Sequence, residues 1–149
     1  MRIQRIQDID NWENLFKDFI TELANEEENA KAYLDVKWQE KITKYGEILT
    51  FSQNQVPKII GWILIYCNEE KTLTAYCAGF NVLKRYRGGG GIGKELLVTA
   101  IELCTKRKFK ALTLYCDPTN EVAFKMYKQF GFKETDTIKN NLILMELKL

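Results

Sequence analysis

Five of the nine glycines in this 149-residue chain fall within six positions, Gly88-Gly89-Gly90-Gly91-Ile92-Gly93. Three cations precede them (Lys84, Arg85 and Arg87) and Lys94 follows. Glycines admit φ > 0 and let the backbone approach a ligand closely, so successive N–H groups can converge on one anion. A helix opening near Ile92 would add unpaired N–H groups and the positive end of its dipole. The chemistry this favours is phosphate binding; the plainer alternative is a flexible hairpin or linker. Histidine is absent, which removes Ser-His, Cys-His and His-ligated metal mechanisms. Four cysteines (Cys67, Cys77, Cys104 and Cys116) lie 10, 27 and 12 positions apart with no C-x-x-C pair. They read as small buried hydrophobes in a reducing cytoplasm, with a structural disulfide as the alternative and no metal site expected.

The elements that must hold the loop follow from periodicity. Residues 2–6 read as a short strand. Asp8 or Asp10 would cap a helix with Trp12, Leu15, Phe16, Phe19, Ile20 and Leu23 on its apolar face. A less regular helix covers roughly 30–42, and Gly46 breaks the chain. Strands follow near 47–52, 58–67 and 72–82, joined by turns at Gln53–Pro57 and Asn68–Lys71. After the glycines comes a helix with Leu96, Leu97, Ala100, Ile101 and Cys104 on one face, then a strand at Ala111–Cys116. A helix over Asn120–Phe130 carries Val122, Ala123, Met126, Tyr127 and Phe130 on its stripe, and Gly131 stops it. Strands near 132–137 and 141–149 end the chain. The order β-α-α-β-β-β-α-β-α-β-β is mixed α/β (α+β): an antiparallel first half and a β-α-β crossover. The length favours one domain over 1–149. The longest apolar run, 59–67, is about half of what a membrane helix needs, and the N-terminus lacks a signal-peptide core.

Three phosphate motifs share the glycine letters. Gly88-x-x-x-x-Gly93-Lys94 matches a Walker A loop, but Glu95 stands where a hydroxyl must meet Mg²⁺. Gly88-x-Gly90-x-x-Gly93 matches the dinucleotide fingerprint, with Asp117 24 positions after Gly93. That turn should follow its strand at once, whereas Leu83–Arg87 intervenes, and too few strands remain for a doubly wound sheet. The third match is Val82-Leu83-Lys84-Arg85-Tyr86-Arg87-Gly88, then Gly91-Ile92-Gly93-Lys94-Glu95-Leu96-Leu97. It is joined downstream by a strand and Asn120-x-x-Ala123-x-x-x-Tyr127-x-x-x-Gly131-Phe132. Together these resemble the GNAT superfamily of acyl-CoA N-acyltransferases, and the element order fits that fold end to end: a central, mostly antiparallel mixed sheet flanked by helices. The loop departs from the family pattern by one glycine. Gly88 occupies the motif's first position and Arg87 lies one place earlier. Either Arg87 still reaches the pyrophosphate around a bulged loop, or backbone N–H groups carry more of the contact.

The resemblance implies transfer of acetyl from acetyl-CoA to a small-molecule or peptide amine in a ternary complex. It assigns the pyrophosphate to Arg87, Gly88, Gly89, Gly90, Gly91, Ile92, Gly93 and Lys94. It places the thioester oxyanion at a backbone N–H near Val82, the cofactor arm against Asn120, and the proton for the leaving thiolate on Tyr127. A phenol of pKa near 10 is protonated at neutral pH and can donate. Tyr127 could instead be only a packed aromatic, and Asn120 only a helix cap. A CoA-binding member without turnover and a dinucleotide-binding module are the alternative readings. The general base is not evident; Glu47, Glu69, Glu70 and an ordered water are candidates. Glu26-Glu27-Glu28 would attract a cationic amine or lie solvated at a helix end. Trp12 and Trp62 read as core and Trp38 is undecided. Homodimers are common in the family, and the strand 141–149 is the candidate pairing edge.

The net charge of +2 is unevenly spread. Residues 1–75 hold 9 basic and 13 acidic side chains, residues 76–149 hold 13 and 7. Chance would explain so small an imbalance; the sharper reading is a basic half for an anion and an acidic half for a cation. With no stripe of aromatics among the cations, nucleic acid is not an expected partner.

Overall fold

The structure is a computed structural model that describes residues 3–53, 57–89 and 91–149. Most of the expected turn at Gln53–Pro57, and Gly90 of the glycine run, lie outside the described residues. Seven strands hydrogen-bond in the order β1-β2-β3-β4-β5-β7-β6, with helices between them. In chain order these are β1 (Ile3–Arg5), α1 (Trp12–Glu26), α2 (Val36–Tyr45), β2 (Glu47–Ser52), β3 (Ile59–Tyr66), β4 (Thr74–Val82), α3 (Ile92–Lys106), β5 (Ala111–Cys116), α4 (Glu121–Gln129), β6 (Lys133–Lys139) and β7 (Leu142–Lys148). The chain divides into two compact units, Met1–Ile65 with Gly79–Ala100, and Tyr66–Ala78 with Ile101–Leu149.

In the first unit β1, β2 and β3 form an antiparallel meander. Both faces of β3 are covered, so its residues from Ile59 to Ile65 are all buried, as the continuous apolar run requires. Trp62 is fully buried and takes Phe16 and Phe19 of α1 at centroid distances of 5.8 and 6.2 Å. Tyr33 and Trp38, stacked on each other at 4.9 Å, meet the same indole edge-on. Trp62 is therefore core, Trp38 joins it, and Trp12 is half-buried at the start of α1. The indole fits because β4 presents Gly79 beneath it: a Cβ there would stand 2.8 Å from Trp62 Cζ2. On the other face, a Cβ on Gly61 would come within 3.2 Å of Leu96 Cδ1, so α3 rests directly on β3.

Local chemistry corrects several expected boundaries. Asn11, in the left-handed region at φ 59°, precedes α1, while Asp8 belongs to a 3₁₀ turn; neither Asp8 nor Asp10 is the cap. The helix expected over 30–42 is a 3₁₀ segment, Glu28–Leu34, followed by α2. Asp35 divides them: its carboxylate accepts from the N–H groups of Lys37 and Trp38, which nucleates a new helix instead of continuing the old one.

In the second unit β4 pairs with β5 in parallel over Thr74–Tyr76, and β5 pairs with β7 in antiparallel fashion. A two-residue turn, Asn140-Asn141, joins β6 to β7 with φ of 52° and 64°. Positive φ at both positions is the type I′ geometry, whose twist matches that of the flanking strands. β7 lies between β5 and β6, so both of its edges are taken. The strand 141–149 therefore offers no open edge to a second copy, contrary to the sequence expectation; the outer strand on that side is β6. Val122, expected on the apolar stripe of α4, is 83% exposed. All four cysteines are buried thiols outside any disulfide, as their apolar neighbours suggested. Burial pushes the Cys104 thiol up to about 12 and the Cys116 thiol up to about 11.

Two outcomes follow from this packing. Gly79→Ala forces Trp62 out of a closed aromatic cluster and should cost about 1–3 kcal/mol, read as a lower urea midpoint. Gly89→Ala, with no heavy atom within 4 Å of the new Cβ, should stay within about 0.5 kcal/mol; equal effects of the two changes would refute this account of β4. The raised thiols also set a pH window. Folding favours the neutral thiol, so their contribution is intact below the ordinary value of 9.0 and is lost as pH climbs through about 11 and 12. Urea midpoints should be level below pH 9 and decline above it, and Cys104→Ala should flatten that decline.

Candidate functional site

The end of β4 fixes the geometry of the glycine loop. Leu83 N–H donates to Ile60 O of β3 at 2.9 Å. Successive peptide groups in a strand face opposite edges, so the N–H and C=O of Val82 point away from β3. The chain then makes a 3₁₀ turn, Lys84–Tyr86, closed by Tyr86 N–H to Leu83 O at 2.9 Å and Arg87 N–H to Lys84 O at 3.1 Å. Tyr86 is held in place as well: Gln53 Nε2 donates to its hydroxyl at 3.1 Å and the Arg85 guanidinium lies 5.1 Å from its ring centre. Gly88 and Gly91 adopt φ of 83° and 67°, which a side chain would strain, and Gly91 O accepts the N–H of Glu95 as the first bond of α3. The loop thus delivers the backbone into the first turn of α3, where Ile92, Gly93 and Lys94 N–H groups have no intrahelical partner by position. Lys94 is exposed, and a Cβ added at Gly93 would stand 3.7 Å from the Phe80 ring.

Arg87 does not point into this loop. Its Nε donates to Val82 O at 2.7 Å, and its Nη2 donates to Glu27 Oε1 in an ion pair. Glu27 Oε2 accepts from Asn81 Nδ2 at 3.5 Å, and Asn81 Oδ1 accepts from Trp62 Nε1 at 3.0 Å. Next to it, Glu26 Oε2 accepts the backbone N–H of Lys84 at 3.0 Å, while Lys84 Nζ donates to Glu26 O. The acidic end of α1 is therefore fastened to the basic end of β4. Glu26 and Glu27 are not a merely solvated helix end, and part of the charge asymmetry between the two halves is spent inside the protein. Asn81 carried no sequence signal of its own. The clue to Glu27 was the pairing of an acidic run with a basic one, which the sequence shows but cannot bring together.

In the second unit, Asn120 Oδ1 accepts from Ala123 N–H at 3.3 Å and caps α4, whatever else that side chain does. At the other end Phe132 N–H bonds to Tyr127 O and Gly131 N–H to Lys128 O, the two bonds of a Schellman stop, with Gly131 at φ 98°. Tyr127 is 8% exposed and meets Phe132 edge-on at 5.6 Å. Burial, then the nearby Cys77 and Cys116 thiols, hold its hydroxyl well above the ordinary phenol value, so it stays protonated across the neutral range. A hollow of about 460 Å³ lies along the outer side of α4 between Pro118 and Gln129.

Two of the base candidates are committed elsewhere. Glu47 pairs with Arg5 at 3.0 Å, and Glu69 Oε1 accepts the backbone N–H of Lys71 at 3.1 Å. Among the described residues no group of three or more Cys, Asp or Glu side chains could hold a metal ion, and no helix is long and apolar enough to cross a membrane.

Comparison with known proteins bears on this arrangement. A curated relative, the uncharacterized N-acetyltransferase YycN of Bacillus subtilis (strain 168), is 31% identical over 81 residues, 54% of this chain and 51% of that protein. The match spans only about half the length of that relative. A solved structure of the PaiA N-acetyltransferase from Thermoplasma acidophilum in complex with coenzyme A superposes over 100% of both chains, with a TM-score of 0.71 and 22% identity. Arabidopsis thaliana Naa50 in complex with the bisubstrate analogue CoA-Ac-MVNAL is 27% identical over 77% of this chain and 82% of its own, at a TM-score of 0.66. Residues 7–132 match the Acetyltransferase (GNAT) family. With its glycine loop and its capped Tyr127 helix both inside that span, the chain belongs to the GNAT acetyltransferase family.

Proposed function

We propose that this chain transfers the acetyl group of acetyl-CoA to a primary amine by direct attack in a ternary complex. The observation that carries the reading is the glycine loop running from the end of β4 into the first turn of α3, within the span that matches the family. Backbone N–H groups of Gly88, Gly89, Gly91, Ile92, Gly93 and Lys94, with the positive end of the α3 dipole, hold the pyrophosphate. Gly90 lies outside the described residues and keeps the same assignment on family likeness alone. Val82 turns its peptide group away from β3, so its N–H is the donor offered to the thioester oxygen as that oxygen gains charge. The N–H groups of Leu83 and Lys84 already bond to Ile60 O and Glu26 Oε2, which leaves Val82 as the backbone choice there.

The amine nitrogen attacks the thioester carbon, the C–S bond breaks, the departing thiolate takes a proton from Tyr127, and the proton shed by the new amide nitrogen restores the Tyr127 hydroxyl. Burial keeps the proton on the Tyr127 hydroxyl across the neutral range, so it is present to be donated as the C–S bond breaks. Asn120 has its Oδ1 engaged as a cap, so its Nδ2 is the group proposed to meet the cofactor arm. The acceptor is a small-molecule or peptide amine; the bisubstrate complex of Naa50 supports an amine and CoA bound together.

The test is direct. Acetyl-CoA should raise the melting temperature of the chain and NAD should not, since a ligand that binds only the folded state stabilises it by mass action. Stabilisation by NAD alone would refute the reading. Tyr127→Phe should lower kcat by about 10²-fold or more while leaving CoA affinity unchanged; unchanged turnover would reduce Tyr127 to a packing residue.

A further inference from the structure

The guanidinium of Arg87 occupies two acceptors that the proposed reaction needs for other purposes. One is Val82 O, on the edge of β4 that faces away from β3, where the pantetheine arm would pair like an added strand. The other is the Glu27 carboxylate, which Asn81 and the buried Trp62 hold from behind at that same strand end. A half-buried carboxylate, fixed by a side-chain network rooted in the core, faces a cation supplied by the protein itself.

We propose that Glu27 is the residue that recognises the acceptor, as the partner of its ammonium group, and that Arg87 fills this place until the cofactor draws it away. This rests on the reading under Proposed function. Arg87 follows the 3₁₀ turn and directly precedes Gly88, so rotation about its side-chain bonds alone can exchange a carboxylate for a pyrophosphate. A diphosphate offers the fork-shaped guanidinium two charged oxygens where Glu27 offers one. When Arg87 leaves, Val82 O becomes available to the pantetheine arm and Glu27 is left an anion at the strand end where the thioester lies. An unpaired, half-buried carboxylate is costly, so it selects a cation over a neutral group of the same shape. Cofactor binding thus prepares the acceptor subsite, and the substrate class is an amine that arrives protonated and releases one proton to solvent before its nitrogen attacks. The extra glycine has a role in this scheme. It separates Arg87 from the first helical turn by one more residue, so the backbone cradle can hold phosphate while the side chain is still turned back.

The experiment compares two CoA thioethers of equal length, S-(2-aminoethyl)-CoA, cationic, and S-propyl-CoA, neutral, by calorimetric titration. Wild-type protein should bind the aminoethyl compound about tenfold more tightly. Glu27→Gln should erase that preference while binding S-propyl-CoA three- to tenfold more tightly than wild type, because Arg87 is no longer held back. In an Arg87→Ala background, Glu27→Gln should give no such tightening. Retained binding of S-propyl-CoA shows that the variant is folded. Equal affinities in the wild type, or a preference that survives Glu27→Gln, would overturn the inference while leaving the acetyltransferase reading intact. Failure of the wild type to bind either compound would overturn that reading itself.

Discussion

A strand that ends inside a protein must give each peptide group a partner, and the last residues of β4 show how this is met. Leu83 N–H turns to β3 and Val82 C=O turns the other way. A carbonyl on an open strand edge is answered by whatever polar group lies within reach. Here that group belongs to a side chain five residues further on, and the same guanidinium meets the end of α1. The 3₁₀ turn, the glycine loop and the start of α3 all take their positions from this strand end. The loop's geometry is thus a consequence of how β4 stops.

Much of the fold could be read from the residues because its signals are local. The strand at Ala111–Cys116, the cap at Asn120 and the stop at Gly131 each depend on neighbours within a few positions. The helix after the glycines has an apolar face that nothing nearby contradicts. What escaped reading was decided at long range or by one competing hydrogen bond. Asp35 splits an apparently continuous helix because its carboxylate captures two N–H groups, a local event that periodicity alone does not weigh. Val122 sits on the apolar stripe by spacing yet remains exposed, since a helix as short as α4 buries only the part of its face that meets the sheet. The contact of Glu27 with Asn81 and Arg87 joins positions more than fifty apart.

For the site, the sequence carried the backbone elements better than the side chains. The glycine loop and the Tyr127 helix were legible because phosphate binding and helix capping leave marks in residue type. The direction taken by Arg87 left none. A guanidinium on a flexible stem selects among nearby anions by geometry, and the run at Glu26–Glu28 was ambiguous until α1 was known to end beside β4. A basic half and an acidic half suggest an anion and a cation from outside, but a third option exists. The two halves satisfy each other in part.

The outermost strand has a bearing of a different kind. β6 reads Lys-Glu-Thr-Asp-Thr-Ile-Lys, almost all of it exposed, and is folded onto β7 by a tight Asn-Asn turn. An incoming strand that aligned with β6 would have to strip water from four charged side chains and set some of them against like charges. The one apolar residue of β6, Ile138, sits next to the turn, where there is too little strand left to template growth. The edge that β6 presents is thus poorly suited to pairing with a further strand.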